Sequence, residues 1–407
     1  MGAHHTVFRR RFSARSSRAV RCLSVLLLSV LLVLSLTSCW SQREIDELAI
    51  VLGTALDAGE SPDQLRLTAQ VVKVNAIGTD PAQQGNSSNT KPYINISNTD
   101  TSMLSAVRGM SRMQSRKLYF AHNEVLILGN DLIRQDMTRV LDAFARDAET
   151  RINVNLLVAE GDASDVLDGG TSLEKTPARH IVGMFENQKF NSEVANITLR
   201  DFFIASLSET TCPIVPIIKI YEEGGESRLK LEDTAVFRGG KMIGRLDKRQ
   251  TRGYLLIVGE SEGSVMTVNT PWGQVIIETF CAGSKIRPVK NDDGSIGMQL
   301  TLQQEGSVQS NETDEDLTTP ENMALLKQLM TESICADVQD AFLQAQSLTA
   351  DIFGFGEAIQ RRYPDEWREI KQDWSNFFST LKLDVEIDAK LHSTGGMIKP
   401  VVPGGIE

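Results

Sequence analysis

The sequence has few of the residues with which enzymes usually bind metals or transfer protons. H-E-x-x-H, G-x-G-x-x-G and C-x-x-C patterns are all absent, which removes the common zinc-protease, dinucleotide and thiol-redox motifs. Two of the five histidines lie within the first five residues, and only His122, His180 and His392 follow. His122 could form an acid–base pair with Glu124, but no nucleophile motif accompanies it, so a structural role is favoured. We predict no catalytic residue, no metal site and no cofactor.

Cysteine is also scarce, with five residues in a chain of 407. Cys22 and Cys39 lie in or directly after the apolar segment near the N-terminus, which leaves Cys212, Cys281 and Cys335. Three widely spaced cysteines provide neither a disulfide framework nor a zinc site. We expect small buried side chains with at most one disulfide, and the sequence leaves that pairing open.

No apolar run reaches the length of about 20 residues that spans a bilayer. The run at residues 23–36 is 14 residues long and follows six arginines placed between Arg9 and Arg21. A basic segment before a short apolar core is typical of a signal peptide. The run ends in L-T-S-C, which resembles the bacterial lipobox. We therefore predict a cleaved lipoprotein signal peptide at residues 1–38 and lipidation of Cys39.

Two other interpretations of this N-terminal segment compete with the lipobox. One is an ordinary secretory signal with a cysteine that lies near the cut by chance, and the other is an uncleaved single-span anchor. The lipobox is favoured because small residues and a cysteine stand where the apolar run ends. Because two or three acyl chains anchor a protein stably, the prediction is a body tethered to a bilayer on its extracytoplasmic face.

The charge of the chain disfavours anionic partners. The formal net charge is −11, and loss of the six arginines with the signal peptide lowers it to −17. A surface of this kind repels nucleic acid and anionic lipid headgroups. We predict no nucleic-acid partner.

Removal of residues 1–38 would leave 407 − 38 = 369 residues. This is more than a single hydrophobic core usually stabilises, so two or three domains are expected. Strand and helix periodicities predict an α+β protein made of three mixed α/β domains behind the signal peptide. The predicted boundaries are an N-terminal α/β domain at 39–210, a small antiparallel-sheet domain at 211–262, and a C-terminal α+β domain with two long helices at 263–407. Strands at 50–52 and 66–74 are predicted to form a hairpin. Asp100 is predicted to cap a helix that begins near Met103. Thr319 and Pro320 predict the start of a long helix with an apolar stripe that continues to Asp351.

Four groups of residues stand out along the chain. Gly239 and Gly240 lie between apolar residues and predict a hairpin turn, whereas Gly354 and Gly356 predict a structural corner. The charged residues at 146–151 predict a solvated turn. The candidate structural and interface residues are Trp40, Glu44 and Asp46; Arg146, Asp147, Glu149 and Arg151; Gly239 and Gly240; and Gly354, Gly356, Trp367 and Trp374.

In this order and behind a lipobox, these groups resemble the Ger(x)C family, the lipoprotein C subunits of nutrient germinant receptors in endospore-forming Firmicutes. The resemblance implies a three-domain α+β protein on the outer face of the inner spore membrane. It also implies two partners, an A subunit with a membrane region and a transporter-like B subunit. In this family germinant binding is associated chiefly with the membrane subunits, so no small-molecule ligand is assigned and a role in assembly and signalling is expected.

Two other classes are weighed beside this one. A solute-binding lipoprotein of a transporter would show two similar lobes around a cleft, and the sequence shows neither an internal repeat nor paired crossover domains. An envelope hydrolase would depend on His122, which has no accompanying catalytic motif.

Overall fold

The computed structural model describes residues 23–27, 29, 47–73, 91–135, 137–146, 150–170, 173–311 and 315–392. The chain divides into a unit of residues 1–48, in which residues 23–27 and 29 are helical, and a unit of residues 49–407. Within the described parts of the chain, no helix is both long and apolar enough to cross a membrane.

The first part of the second unit is built on a large mixed sheet. Its strands are β1 (Leu48–Ala58), β2 (Leu65–Val72), β3 (Tyr93–Asp100), β4 (Lys117–Tyr119), β5 (Val125–Leu128), β6 (Asn155–Ala159), β7 (Ile214–Glu223), β8 (Glu226–Arg238) and β9 (Lys241–Leu246). The order is β3-β2-β1-β5-β6-β7-β8-β9, and β4 pairs with β1. β1 and β2 form the predicted antiparallel hairpin, while β1, β5, β6 and β7 run parallel through crossover connections.

Helices cover both faces of this sheet. They are α1 (Met103–Met110), α2 (Asn130–Ile133), α3 (Thr138–Arg146), α4 (Ala163–Val166), α5 (Pro177–Glu186) and α6 (Leu199–Leu207), whereas the buried side chains of α7 (Lys248–Val258) join the core of the C-terminal part. Two separate clusters of buried apolar side chains result, one for each face, which is why strands such as β5 are buried along their whole length.

The C-terminal part packs helices on one face of a second sheet. Its strands are β10 (Gly263–Thr270), β11 (Gly273–Lys290), β12 (Ile296–Asn311) and β13 (Leu383–His392), hydrogen-bonded in chain order. The helices are α8 (Pro320–Ser347), α9 (Phe355–Arg362), α10 (Pro364–Ile370) and α11 (Trp374–Thr380). The predicted start of α8 is confirmed, with the Thr319 hydroxyl accepting the Asn322 N–H and Pro320 in the first turn.

The α+β class expected from the sequence is confirmed, and two details of the helices differ. Ser102, not Asp100, caps α1, because Asp100 ends β3 and its carboxylate accepts the Thr101 N–H. In place of a second long helix, the chain forms the three short helices α9, α10 and α11. Pro364 begins α10 and a 3₁₀ turn at Lys371–Asp373 separates α10 from α11.

The strands of residues 211–262 pair with one another antiparallel, as predicted, but they also continue the large sheet. Val158 and Ala159 of β6 pair with Ile217 and Ile218 of β7 in parallel register. The sequence showed no sign of this pairing because it joins segments more than 50 residues apart. The three-domain division stays a prediction.

The last strands of the large sheet lead into α7, which packs closely against α8. Gly253 of α7 faces the Asp337 backbone, and a Cβ at Gly253 would clash with the Asp337 carbonyl group. The buried Asp337 carboxylate accepts hydrogen bonds from Arg249 Nε at 3.1 Å and from Arg252 Nε at 2.6 Å. Two guanidinium groups therefore stabilise a carboxylate that would be costly to bury alone.

We expect Gly253→Ala to lower the free energy of unfolding by about 1 to 3 kcal/mol, because the added methyl forces the two helices apart. Gly183→Ala is the matched control: Gly183 lies inside α5, and a Cβ there meets no atom within 4 Å. The control should be neutral or stabilising by up to about 1 kcal/mol, since alanine favours helix. Urea unfolding of both variants measures the difference, and a Gly253→Ala protein as stable as the wild type contradicts the close packing.

Candidate functional site: a groove beside the end of helix α8

Arg238, the last residue of β8, reaches the carboxyl end of α8. Its Nη2 donates to the carbonyl oxygens of Leu348 at 3.0 Å and Thr349 at 2.7 Å, and to Thr349 Oγ1 at 3.1 Å. The last carbonyls of a helix lack partners within the helix, so a guanidinium there satisfies them and complements the helix dipole. Thr349 has a φ of +51°, an uncommon conformation for a non-glycine residue. Arg238 thus fixes a strained helix end.

The predicted hairpin turn follows directly after Arg238. Gly239 and Gly240 have φ values of +56° and +77°. Both central residues of this hairpin turn therefore have the positive φ that glycine adopts most easily, and the predicted turn is confirmed. On β9, a Cβ at Gly244 would lie 2.5 Å from Leu348 Cδ2. The absence of a side chain at Gly244 therefore allows the strand to approach the end of α8.

The predicted corner at 351–356 is organised by Asp351. Its buried carboxylate accepts the N–H groups of Phe353 and Phe355 at 3.1 Å and of Gly356 at 2.8 Å. Gly354 has a φ of +74°, as the corner prediction requires. Burial raises the pKa of Asp351 to about 6, and the N–H donors, which lower it, offset only part of this effect.

The segment between α6 and β7 is attached to this corner. The Cys212 N–H donates to the Asp351 carbonyl at 2.7 Å, and Ser208 Oγ donates to Glu357 Oε1 at 2.7 Å. A Cβ at Gly356 would lie 2.6 Å from Thr210 Cγ2, so Gly356 is required by close approach and not by positive φ. Burial also raises the pKa of the Cys212 thiol, while Arg238 acts in the opposite direction.

The two predicted tryptophans lie in the aromatic core beneath the corner. The rings of Trp367 and Trp374 meet edge to face with centroids 5.4 Å apart, and Trp374 also contacts Phe377 and Phe378. Both indole Nε1 atoms are buried and have no hydrogen-bond acceptor among the described residues. A buried donor of this kind usually has a partner.

These segments surround an open groove with a volume of about 710 Å³. That volume is within the range of ligand-binding clefts. The predicted residues Gly239, Gly240 and Trp374 line the groove, while Gly354, Gly356 and Trp367 lie in the structure that supports it. The lining residues are Met137, Leu141, Phe202, Phe203, Ser206, Ser208, Glu209, Thr210, Thr211, Cys212, Pro213, Arg238, Gly239, Gly240, Lys371, Gln372, Asp373, Trp374 and Ser375.

The other predicted residues do not meet at this groove. Arg146 ends α3 and pairs on the surface with Asp142 at 2.6 Å, and Arg151 lies exposed beside a different surface depression. Six predicted positions lie outside the described residues: Cys39, Trp40, Glu44, Asp46, Asp147 and Glu149.

No enzyme-like site is assembled by the described residues. No three His, Cys, Asp or Glu side chains among them converge as metal ligands. His122 contacts the Tyr119 ring, and Glu124 pairs with Arg179 at 2.8 Å. One G-x-S-x-G pattern does occur, at residues 259–263, but its serine follows a helix and precedes a strand. A serine nucleophile motif requires the opposite order.

Sequence reasoning missed several residues on which the site depends. Arg238 directly precedes the predicted Gly239–Gly240 turn and Asp351 begins the predicted corner, yet neither was predicted as a site residue, although a lone acid ahead of a Gly-rich corner is a recognisable capping signal. Helices α5 and α7 were also missed. Thr176 caps α5 and Pro177 is its first residue, and Asp247 with Gln250 forms a capping box that begins α7.

The protein has an α+β fold with an open groove beside the end of α8, and comparison with known proteins identifies its family. The family described as "Spore germination protein N-terminal domain" matches residues 41–220, and "Spore germination B3/GerAC like, C-terminal" matches residues 232–395. The chain belongs to this Ger(x)C family of spore germination proteins, and it is not an enzyme.

Individual relatives agree with this assignment over nearly their whole length. Spore germination protein YndF of Bacillus subtilis (strain 168) is 25% identical over 93% of this chain and 98% of its own. Spore germination proteins KC and B3 of the same organism are 23% and 24% identical, over 92% and 89% of this chain and 97% and 96% of their own. The crystal structure of the GerBC protein shares the fold, with a TM-score of 0.55, 20% identity, and coverage of 83% of this chain and 96% of that one.

The raised pKa of Asp351 generates a pH prediction. The pKa of Asp351 is higher in the folded state than in the unfolded state, so the folded protein holds this proton more tightly. The resulting stabilisation is complete below the ordinary pKa of 3.8 and is lost as the pH rises through about 6. Asp351→Asn cannot titrate. The unfolding free energy of the wild type minus that of the variant should therefore fall by about 2 kcal/mol between pH 4 and pH 7.

Guanidinium unfolding of both proteins at several pH values provides this measurement. Other carboxyls with raised pKa values, such as Asp57 and Glu260, titrate in both proteins. Their contributions to the pH dependence of stability therefore cancel when the two unfolding free energies are subtracted. A difference that stays constant or grows with pH would show that Asp351 is ionised throughout.

Proposed function

We propose that the chain is the membrane-anchored lipoprotein subunit of a nutrient germinant receptor and that it supports receptor assembly and signalling in spore germination. The observation that carries this proposal is the ordered match of both halves of the chain to spore germination domains, over residues 41–220 and 232–395. The relatives named for spore germination extend over the same length, and nothing in the comparisons favours a solute-binding protein of a transporter.

The proposed location is the extracytoplasmic face of the inner spore membrane, with an N-terminal lipid on Cys39 as the anchor. The sequence supports this through the basic segment, the short apolar run and the L-T-S-C lipobox. The proposed partners are the A and B membrane subunits of the receptor. The groove beside α8 supports a binding role, because it is large and open while the chain has no assembled catalytic site among its described residues.

We expect Cys39→Ala to release the protein from spore membranes into the soluble fraction and to reduce germination by the nutrients that its receptor senses. Without the thiol no diacylglycerol can be attached, and the remaining apolar segment is short for a stable span. Membrane fractionation, together with the loss of spore refractility after nutrient addition, measures both effects. Cys335→Ala is the matched control, because Cys335 is a free cysteine of α8 that does not line the groove, and it should keep both properties.

Deletion of the gene tests the function itself. Spores that lack the protein should lose the response to one set of nutrients and retain the response to triggers that bypass nutrient receptors. An unchanged response to every nutrient tested contradicts the proposal, whereas membrane retention of Cys39→Ala contradicts only the anchor.

A further inference from the structure

The segment that joins α1 to β4 carries charge of only one sign. Residues 101–123 contain no aspartate or glutamate, and their lysine and arginine side chains are Arg108, Arg112, Arg116 and Lys117. All four of these side chains are exposed. In a chain with a formal net charge of −11, this run of cations is a local exception to the acidic surface. We call residues 104–117 the α1–β4 segment.

The protein itself does little to neutralise these cations. Arg108, Arg112 and Arg116 form no ion pair with any residue that the structure describes. Of the elements that pack most closely against α1, β2 has no acid, β3 has only Asp100, and α3 has only Asp142. Asp142 is already paired with an arginine of its own helix. The α1–β4 segment therefore presents positive charge to a partner outside the chain.

Two large apolar side chains are exposed among the cations. Leu104 is 57% exposed and Met113 is 55% exposed. Leu104 and Arg108 are four residues apart on α1, so they are neighbours on one face of the helix. The opposite face is fixed on β3, where Asn98 Nδ2 donates to the Ala106 carbonyl at 3.0 Å. Cations beside exposed apolar side chains on an ordered helix are typical of a surface that lies at a membrane interface.

The α1–β4 segment ends beside the first residues of β1. β2 pairs along one side of β1, and β5 pairs in parallel with Gly53–Leu56 on the other side. β4 also pairs with β1 and precedes β5 in the chain, so it lies next to the residues before Gly53. Cys39 is nine residues before Leu48, where β1 begins, and a chain of that length spans at most about 30 Å. A bilayer that holds a lipid on Cys39 is therefore within reach of the α1–β4 segment.

The acidic remainder of the protein does not cancel a local attraction of this kind. The Debye length is about 10 Å at 0.1 M salt, so acids farther than this from a bilayer surface are largely screened from it. Each basic residue close to an anionic surface favours the bound state about fivefold. A tether also raises the effective concentration of the surface that it holds nearby, so a weak contact is sufficient.

We propose that the α1–β4 segment binds the anionic phospholipid headgroups of the bilayer in which Cys39 is anchored, with Leu104 and Met113 entering the interface. The contact orients the folded body on the membrane, which a tether alone does not do. The proposal rests on the lipid anchor of the proposed function. A bilayer is favoured over an acidic protein segment because the exposed apolar side chains and the short tether both point to the membrane.

The test places full-length lipidated protein in vesicles of phosphatidylcholine, with or without about one-third phosphatidylglycerol. A photoreactive benzoylphenylalanine at position 113 reports contact by forming a covalent adduct with a fluorescent phospholipid. We expect at least fivefold more adduct in the anionic vesicles, and loss of this difference at about 1 M NaCl, where the Debye length is about 3 Å. Position 343 is the control: Leu343 is 60% exposed on α8, and its adduct should stay low in both kinds of vesicle.

Charge variants test the electrostatic contribution. Arg108→Gln combined with Arg112→Gln removes two exposed cations and should lower the adduct at position 113 at least fivefold in the anionic vesicles. Arg361→Gln combined with Arg362→Gln is the matched control, because these two arginines are also exposed at the end of a helix, in the C-terminal part. The control should leave the adduct unchanged, and urea unfolding of both double variants should match that of the wild type.

The outcomes separate this proposal from the anchor and from the receptor. If the wild type floats with the vesicles but its adduct at position 113 is independent of phosphatidylglycerol, salt and the two arginines, the proposal is wrong and the anchor stands. If position 113 in spore membranes cross-links to a receptor subunit and not to lipid, the segment is a protein interface and the proposal is wrong, whereas receptor assembly is supported. If the wild type does not float with the vesicles, the anchor is wrong and the proposal fails with it.

Discussion

The end of helix α8 depends on one guanidinium group. Arg238 comes from the large sheet, and it donates to the carbonyls of Leu348 and Thr349, which have no partner within the helix. The path of the following chain is set there, because the Asp351 corner begins two residues later and determines where α9 starts. The Cys212 N–H then donates to Asp351, so the strand that enters the large sheet is fixed to the same point. The positions of both groove walls follow from these few hydrogen bonds.

Glycine makes this arrangement possible in two ways. At Gly239 and Gly354 the backbone has positive φ, which permits a tight turn and a sharp corner. At Gly244 and Gly356 the backbone is ordinary, but a side chain would strike Leu348 or Thr210. Substitutions at these two kinds of position should therefore differ in character, since neighbouring side chains can adjust to a clash more easily than alanine can adopt positive φ.

Local sequence signals predicted much of the structure. The α8 stripe, its Thr-Pro start, the Gly-Gly hairpin and the β1–β2 pairing were all visible, because periodicity and turn chemistry act over a few residues. The groove was only partly predictable: Gly239, Gly240 and Trp374 were selected as candidates, but nothing in the sequence showed that they line one cleft. Their convergence depends on contacts between residues more than 100 positions apart, such as Arg238 with Thr349. The same reason explains why the β6–β7 pairing was missed.

The β7–β8 hairpin has a consequence for how the protein can be divided. The two family domains end at residue 220 and begin at residue 232, yet β7 and β8 pair from Ile214 with Val236 to Glu223 with Glu226. The boundary that sequence families draw therefore cuts through a hydrogen-bonded ribbon. Either half, produced alone, would present a long unpaired strand edge, which is a template for aggregation. Exchange of halves between relatives would be safer at the connection after α7, because the whole ribbon and Arg238 would then stay with the large sheet.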